Sequence, residues 1–409
     1  MIPNFKIDDN LKVEFLVPDT DGNSFILGIS LLGGTDVLGG FGEFVIGVSL
    51  LGGDDVLAPS SGLKWQEVTC SVANANISVG GSVQDSIYFQ PAPGEASLTL
   101  QSYDLDPTVN KNIRASTKIR VRLEDSEIDR ILFQGFIDTI NVTYYPDGLN
   151  LIEITSFDAY KSLVNARFVE WDTTPLGADA TPSEIFELVA IESGLGLSPD
   201  SLPLSGLIPT TSETNIVVSS VVNEALLVGL GLVWVDPQTE NLTVIPRPTG
   251  ENGTLTTYII GNDHGGEYHL CMSEINVLSD ADAVYNSLNV TLTSNDAVFV
   301  TRKDQDSIDL YGESAIDIAI NTTDSTELAA WADRVFTQNP ENLVNQVVTP
   351  TKDRLGNLTD AAVFTPGMTV GVSYTNSQLD IVGFYTIIKV SHRIDVDNWF
   401  TTLELWKEA

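Results

Sequence analysis

Residues 117–160 read TKIRVRLEDSEIDRILFQGFIDTINVTYYPDGLNLIEITSFDAY, and this stretch decides the fold class of the chain. Apolar and polar residues alternate over Lys118 to Leu123, Ile131 to Val142 and Asn150 to Ser156, which is the two-residue period of a half-buried strand. Between the last two segments, Tyr145-Pro146-Asp147-Gly148 supplies the residue types of a turn. The stretch therefore predicts antiparallel β-structure with one clear hairpin.

The same alternation recurs on both sides of this stretch, bounded by Gly, Pro, Asn and Asp. Further strands are predicted at Ser97 to Gln101, Leu232 to Val235, Leu242 to Ile245, Ser287 to Thr293, Thr369 to Tyr374, Phe384 to Val390 and Phe400 to Trp406.

Helices are predicted to be few and short. Thr181-Pro182-Ser183-Glu184 has the residues of a capping box, with proline at the first helical position. The predicted helices are Asp158 to Val164, one that opens at Thr181, Ser219 to Leu230 with Ser219 or Ser220 as its cap, and Ser325 to Phe336.

These patterns predict a mainly β chain with minor α content, in three segments. Residues 1–165 and 265–409 are expected to form two β-rich domains, and residues 166–264 a small α/β connector. The 409 residues suit two or three domains, and 43% apolar residues supply enough material for their cores.

The charge balance is strongly acidic, with 56 Asp and Glu against 20 Lys and Arg and a net charge of −36. Such a surface repels nucleic acid and anionic membranes. It is typical of a protein from a saline habitat, and equally of the lining of a channel through which DNA passes without binding. The two interpretations are compatible. No run of 18 apolar residues occurs, so no membrane-spanning segment is predicted.

The sequence offers weak candidates for metal or redox chemistry. Cys70 and Cys271 belong to no C-x-x-C pair and are expected to be two buried thiols, although the sequence leaves a disulfide between them open. His264 and His269 stand five apart, without the spacing of a metal-binding strand or helix face. His392 lies in a predicted strand and is expected to be half-exposed. No cofactor is predicted.

A duplicated segment sits in the first predicted domain. Residues 25–38 read FILGISLLGGTDVL and residues 44–57 read FVIGVSLLGGDDVL, with ten of 14 positions identical. The pair is interpreted either as a hairpin insert at about 19–59 or as an apolar arm that another subunit covers. On the second interpretation the candidate contact residues are Phe25, Leu31, Leu32, Phe44, Leu50 and Leu51.

A basic stripe is predicted on one strand of the opening stretch. Lys118, Arg120 and Arg122 alternate with apolar residues and therefore share a face. This is either the solvent face of the strand or, in so acidic a chain, a stripe that pairs with an acidic neighbour across a subunit contact. Taking the second interpretation, these three residues are candidate subunit contacts.

No catalytic motif is present. The chain contains no G-x-S-x-G, H-E-x-x-H, P-loop or G-x-G-x-x-G sequence. With 56 acidic residues, a pair of carboxylates carries little information about glycosidase chemistry. The chain is therefore not expected to be an enzyme.

The order of segments over about 60–409 resembles the hub proteins of bacteriophage tails. In the first half the resemblance rests on the basic strand, on Phe133-Gln134-Gly135-Phe136-Ile137 and its hairpin, and on Ser156-Phe157-Asp158-Ala159-Tyr160 before a short helix ending in Leu163. In the second half it rests on Ser307-Ile308-Asp309-Leu310-Tyr311-Gly312, Pro366-Gly367-Met368-Thr369-Val370, and the segments from Tyr385 and Trp399. The duplicated insert departs from the pattern.

The resemblance implies two tail-tube-like β-barrels joined by the connector. A homotrimer would then present six similar barrels, adapting a six-fold tail tube to a three-fold tip at the tail tip or baseplate of the virion. The expected partners are the chain itself, a tail-tube or distal tail protein ring, and tip or fibre proteins, with DNA passing unbound. The alternatives are a receptor-binding or adhesin-like module of the tail and, less favoured, a polysaccharide hydrolase.

Overall fold

The fold is described from a computed structural model. The structure describes residues 11–18, 63–67, 71–84, 87–102, 105–108, 110, 112–124, 128–145, 150–247, 258–262, 269–278, 285–337, 343–351, 359–375, 380–395 and 398–407. Strands account for 55% of the structure and helices for 19%, which confirms the predicted mainly β class.

The strands are β1 Leu11–Pro18, β2 Leu63–Glu67, β3 Ser71–Gln84, β4 Tyr88–Pro91, β5 Glu95–Gln101, β6 Lys118–Glu124, β7 Asp129–Thr143, β8 Leu151–Phe157, β9 Arg167–Asp172, β10 Asp179–Ala180, β11 Ile208–Pro209, β12 Ser212–Val217, β13 Gly231–Val235, β14 Leu242–Pro246, β15 Ile259–Gly261, β16 His269–Cys271, β17 Glu274–Leu278, β18 Ser287–Leu292, β19 Asn295–Lys303, β20 Ala315–Ile320, β21 Leu343–Pro350, β22 Thr369–Thr375, β23 Asp380–Asp395 and β24 Trp399–Lys407. The α-helices of the described residues are α1 Tyr160–Asn165, α2 Pro182–Ser193, α3 Val218–Gly229, α4 Gln305–Tyr311 and α5 Ser325–Thr337. Short 3-10 turns occupy Thr174–Leu176 and Asp360–Val363.

The chain divides into two compact units, and the three predicted segments stay a prediction. Met1–Ala73 and Leu98–Ser156 form the first unit, and Asn74–Ser97 with Phe157–Ala409 form the second. The predicted connector thus falls in the same unit as residues 265–409.

In the first unit the strands lie in the order β5-β8-β7-β6-β1-β2. Burial alternates strictly along β6 and β8, as the sequence pattern predicts, because one face of the sheet covers the core. The largest fully buried side chains of this unit are Phe15, Leu100, Leu105, Ile113, Ile119 and Phe133.

In the second unit one sheet has the strand order β16-β15-β22-β23-β3. A further series of pairs starts from the same sheet, in which β23 pairs with β24, β24 with β21, and β21 with β17. Strands β15 and β16 pair in parallel, as do β15 and β22. An apolar cluster supports this sheet, with Val370, Val372, Ile387 and Leu403 among its buried members. Among the described strands, no pairing closes a sheet into a ring, so the two barrels stay a prediction.

A larger apolar cluster holds the helices of the second unit. The Trp331 indole on α5 is buried within it and donates a hydrogen bond to the Leu227 carbonyl on α3 at 2.8 Å. Helix α2 begins as predicted, with the Thr181–Glu184 capping box formed. The bond from Trp331 to Leu227 is one physical reason that the connector and the last third of the chain form one unit.

Three local predictions differ from the structure. Helix α1 begins at Tyr160 rather than Asp158, and the Asp158 carboxylate before it accepts the Tyr160 N–H at 3.0 Å. Helix α3 begins at Val218 without a side-chain cap, whereas a serine cap was expected. Helix α4 was not predicted.

Two side chains differ from their expected burial. Cys271 is exposed, so the prediction of a buried thiol is wrong there, while Cys70 lies outside the described residues. His392 is 5% exposed rather than half-exposed, because its ring packs edge-on against Trp399 and its Nδ1 lies 3.0 Å from the Thr401 hydroxyl. No helix of the described residues is long and apolar enough to cross a membrane.

Candidate functional site

The basic stripe lies on the outer face of the first unit's sheet. Ile119, Val121 and Leu123 are fully buried, so the alternate residues of β6 point the other way. Antiparallel pairing sets Glu14 of β1 beside Arg120 and Lys12 beside Arg122. We call the resulting surface the charged face; its members are Lys12, Glu14, Trp65, Glu67, Lys118, Arg120, Arg122, Glu124, Asp129 and Phe136.

Arg120 forms the most buried ion pair of the charged face. Its Nε donates to Glu14 Oε2 at 2.6 Å and its Nη2 to Glu14 Oε1 at 3.1 Å, a bidentate geometry. The guanidinium also lies over the Trp65 ring, 4.4 Å from the ring centroid. Glu14 is only 7% exposed, so this pair compensates a carboxylate that is largely removed from water.

Arg122 and Lys12 extend the ion pairs across the sheet. Arg122 binds both oxygens of Asp129 at 2.6 Å, and this bond lowers the pKa of Asp129 and raises that of Arg122. Lys12 Nζ lies 2.9 Å from Glu124 and 3.5 Å from Glu67. Its hydrogen bond lowers the pKa of Glu124. The bonds join three strands and the start of β7 into one network.

The charged face is electrically balanced, unlike the chain as a whole. It holds four basic side chains and four acidic ones within a chain of net charge −36. Arg120 and Arg122 therefore already have acidic partners in the same chain, in place of the acidic neighbour expected from a second subunit. Their role as subunit contacts, together with that of Lys118, stays a prediction.

The end of the charged face is apolar. Lys118 Nζ lies 5.4 Å from the centroid of the Phe136 ring, and Phe136 is 39% exposed. Leu63 of β2 is also exposed. The six candidate contact residues of the duplicated insert, Phe25, Leu31, Leu32, Phe44, Leu50 and Leu51, lie outside the described residues.

Two exposed tyrosines follow β7. Tyr144 is 57% exposed and Tyr145 is 49% exposed. The Tyr144 hydroxyl donates to the buried Asp106 carboxylate at 3.0 Å. Thr108 also binds Asp106 through its backbone N–H and its hydroxyl, which lowers the pKa of that carboxyl. Asp106 therefore fixes the Tyr144 side chain while leaving most of its ring in solvent.

The sequence analysis named three of the four basic residues of the charged face, and it missed Lys12 and the acidic and aromatic members. Glu14, Trp65 and Asp129 were not singled out. Glu14 stands between Val13 and Phe15 in an alternating segment, which places it on the outer face of its strand. Its ion-pair partner depends on which strands lie side by side, and the alternation does not indicate that. Among the described residues, no group of three or more His, Cys, Asp and Glu side chains could hold a metal ion.

Comparison with known proteins shows the fold of the chain. No family model and no curated protein matches its sequence. Its structure is similar to the tail protein from Neisseria meningitidis MC58, with a TM-score of 0.57 and 12% identity over 84% of this chain and 94% of that one. It is also similar to the 43 kDa tail protein of prophage MuSo2 from Shewanella oneidensis, with a TM-score of 0.53 and 10% identity over 84% and 95%. The predicted resemblance to phage tail proteins is confirmed at the level of the fold.

Proposed function

We propose that this chain is a structural subunit of a bacteriophage tail, at the tail-tip or baseplate hub of the virion. The observation that supports this most is the likeness to two tail proteins, which spans 84% of this chain and almost the whole of theirs. A fold alone does not determine function. The proposal therefore also rests on the mainly β architecture and on the charge of the surface.

In this proposal three copies form a ring between a six-fold tail tube or distal tail protein ring and three-fold tip or fibre proteins. Two tube-like domains per chain would present six similar positions to the tube. The net charge of −36 would let DNA pass through the ring without binding. No catalytic role is proposed.

The charged face is the proposed contact surface between copies. Copies of a chain with net charge −36 repel one another over most of their surface, whereas a face with equal numbers of acidic and basic groups does not. The exposed ring of Phe136, beside Lys118, supplies apolar area at its end. The residues of the duplicated insert are proposed as a second contact.

The first test is the native mass of the purified protein by light scattering after size exclusion. A mass near three times 44.2 kDa is expected. Phe136→Ser should shift the protein toward monomer, while Phe299→Ser, at an even more exposed apolar residue of the second unit, should leave the mass unchanged. A strict monomer at every concentration would remove the geometric argument for a symmetry adaptor.

A receptor-binding module of the tail is the second candidate. Tyr144 and Tyr145 favour it, because adjacent exposed aromatic residues held in place are typical anchors of binding surfaces. Labelled protein should then bind host cells, and Tyr144→Ser with Tyr145→Ser should lose that binding while Phe299→Ser keeps it. Binding that survives the tyrosine changes would count against this candidate.

A further inference from the structure

A cavity of about 380 Å³ lies in the second unit. It is lined by β4, helix α3, and the residues at the ends of β18 and β20. The polar side chains in its wall include Tyr88, Gln90, Asn223, Glu224 and Asn321. These residues come from three distant parts of the sequence, and nothing in the proposed tail role uses them.

Glu224 makes the cavity negative. Its carboxylate accepts a hydrogen bond from the Asn321 amide, and burial followed by the charge of nearby Glu213 raises its pKa. None of the described residues that line the cavity is Lys, Arg or His. A partly buried carboxylate beside a second acidic residue, with no lysine or arginine in the cavity wall, is a place where a cationic group would be favoured.

The polar groups of the cavity suit a planar cation with several donors better than a compact one. A carboxylate binds a guanidinium through two parallel hydrogen bonds, and the side-chain oxygens of Asn321, Asn223 and Gln90 offer further acceptors. Leu227 and Val228 of α3 supply an apolar wall for an alkyl stem. Anionic ligands are disfavoured because the cavity carries a carboxylate and no positive side chain in its described lining.

We propose that this cavity binds the guanidinium group of an arginine side chain presented by another polypeptide. A volume of about 380 Å³ is at the small end of ligand pockets, which suits one side chain rather than a large cofactor. The proposal does not depend on the tail role, because it concerns the chemistry of the cavity alone.

The test measures binding of N-acetyl-arginine amide to the full chain by calorimetry and by ligand-observed NMR. N-acetyl-citrulline amide, which has the same shape without the charge, is the first comparator, and putrescine, a small free cation, is the second. The arginine compound should bind saturably and at least about tenfold more tightly than either comparator, as expected for a charge-assisted bidentate pair. Lowering the pH should weaken binding as Glu224 takes up a proton.

Three variants locate the binding. Glu224→Gln removes the charge, and Ala319→Trp fills the cavity from β20 while keeping Glu224; each should reduce affinity about tenfold or more. Glu192→Gln, an exposed residue of α2, makes the same charge change elsewhere and should have no effect. If thermal unfolding shows that either Glu224→Gln or Ala319→Trp does not fold, the affinity of the remaining one of these two variants tests the site.

Several results would overturn the proposal. Equal binding of the citrulline compound would make the cavity a neutral polar site, and tighter binding of putrescine would make the ligand a small free cation. An equal loss in Glu192→Gln would mean nonspecific attraction to an acidic protein. Absence of saturable binding by the wild type would exclude the site.

Discussion

Two buried carboxylates, one in each unit, are stabilised in different ways. Glu14 lies on the charged face and is bound by the guanidinium of Arg120 through two hydrogen bonds. Asp158 lies between β8 and α1, and its carboxylate accepts backbone N–H groups, including that of Tyr160 at 3.0 Å. Within the described part of the chain, no lysine or arginine side chain is paired with Asp158.

The difference shows that two kinds of partner can stabilise a buried acid. Burial raises the pKa of Asp158 to about 7, because backbone amides offset only part of the cost of removing a carboxylate from water. Glu14 has instead a full positive charge within hydrogen-bond distance. The first arrangement makes stability depend on pH between about 4 and 7, and the second makes it depend on one arginine.

Removing Arg120 should strongly reduce stability at neutral pH. Arg120→Leu leaves Glu14 buried without its cation, so the free energy of unfolding should fall by about 3 kcal/mol, near the lower end for a broken buried pair. Urea unfolding of the two proteins at pH 7 measures the difference. The double variant Arg120→Leu with Glu14→Leu should recover most of the loss. No recovery would mean that the Trp65 stacking, rather than the ion pair, carries the effect.

Asp158→Asn should change the pH dependence of stability. Because the folded-state pKa of Asp158 is raised from 3.8 to about 7, its favourable contribution is fully present below pH 4 and is lost as the pH rises toward 7. At about 1.4 kcal/mol per pKa unit, the loss is at most about 4 kcal/mol. Asparagine keeps the acceptor for the Tyr160 N–H but does not ionise.

The measurement for this prediction is thermal and urea unfolding of both proteins from pH 4 to pH 8. The wild type and Asp158→Asn should differ little at pH 4, and the variant should be the more stable protein at pH 8. Parallel pH profiles for the two proteins would show that Asp158 is not the group that titrates.

An exposed ion pair should have the smallest effect. Arg302 and Asp333 of the second unit are also joined by a short hydrogen bond, but both side chains are much more exposed than those of Arg120 and Glu14. Solvent screens such a pair, so Arg302→Met should cost less than about 1 kcal/mol. High salt should reduce this cost further while leaving the effect of Arg120→Leu nearly unchanged. Equal costs at the two sites would contradict the comparison.

Local patterns in the sequence predicted ten of the 24 described strands and four of the five described α-helices. The alternation of Lys118 to Leu123 fixes the two faces of β6, and the spacing of Thr181 and Glu184 gives the start of α2. Helix α4 carried a signal of the same kind. Asp304 accepts the Ser307 N–H as a helix cap, but the sequence analysis did not single it out as one.

The candidate sites could not be predicted in the same way, because they depend on which distant segments meet. Glu14 and Arg120 are far apart in sequence, and their pairing follows from the register of β1 on β6. The cavity joins Gln90, Glu224 and Asn321, each in a different part of the chain. The position of a residue in the alternating pattern of a strand indicates which face of the sheet its side chain is on. The pattern does not indicate which strand or helix lies beside that face.

The pairing of β3 with β23 has a consequence for synthesis. Ala75 pairs with Ile394, so the second unit cannot complete its sheet until more than 300 further residues have been synthesised after Ala75. Through that interval β3 must keep an unpaired edge in solution, where it is open to mispairing with other nascent chains. Slow translation or a shortage of chaperones should therefore reduce the yield of folded protein through this one strand.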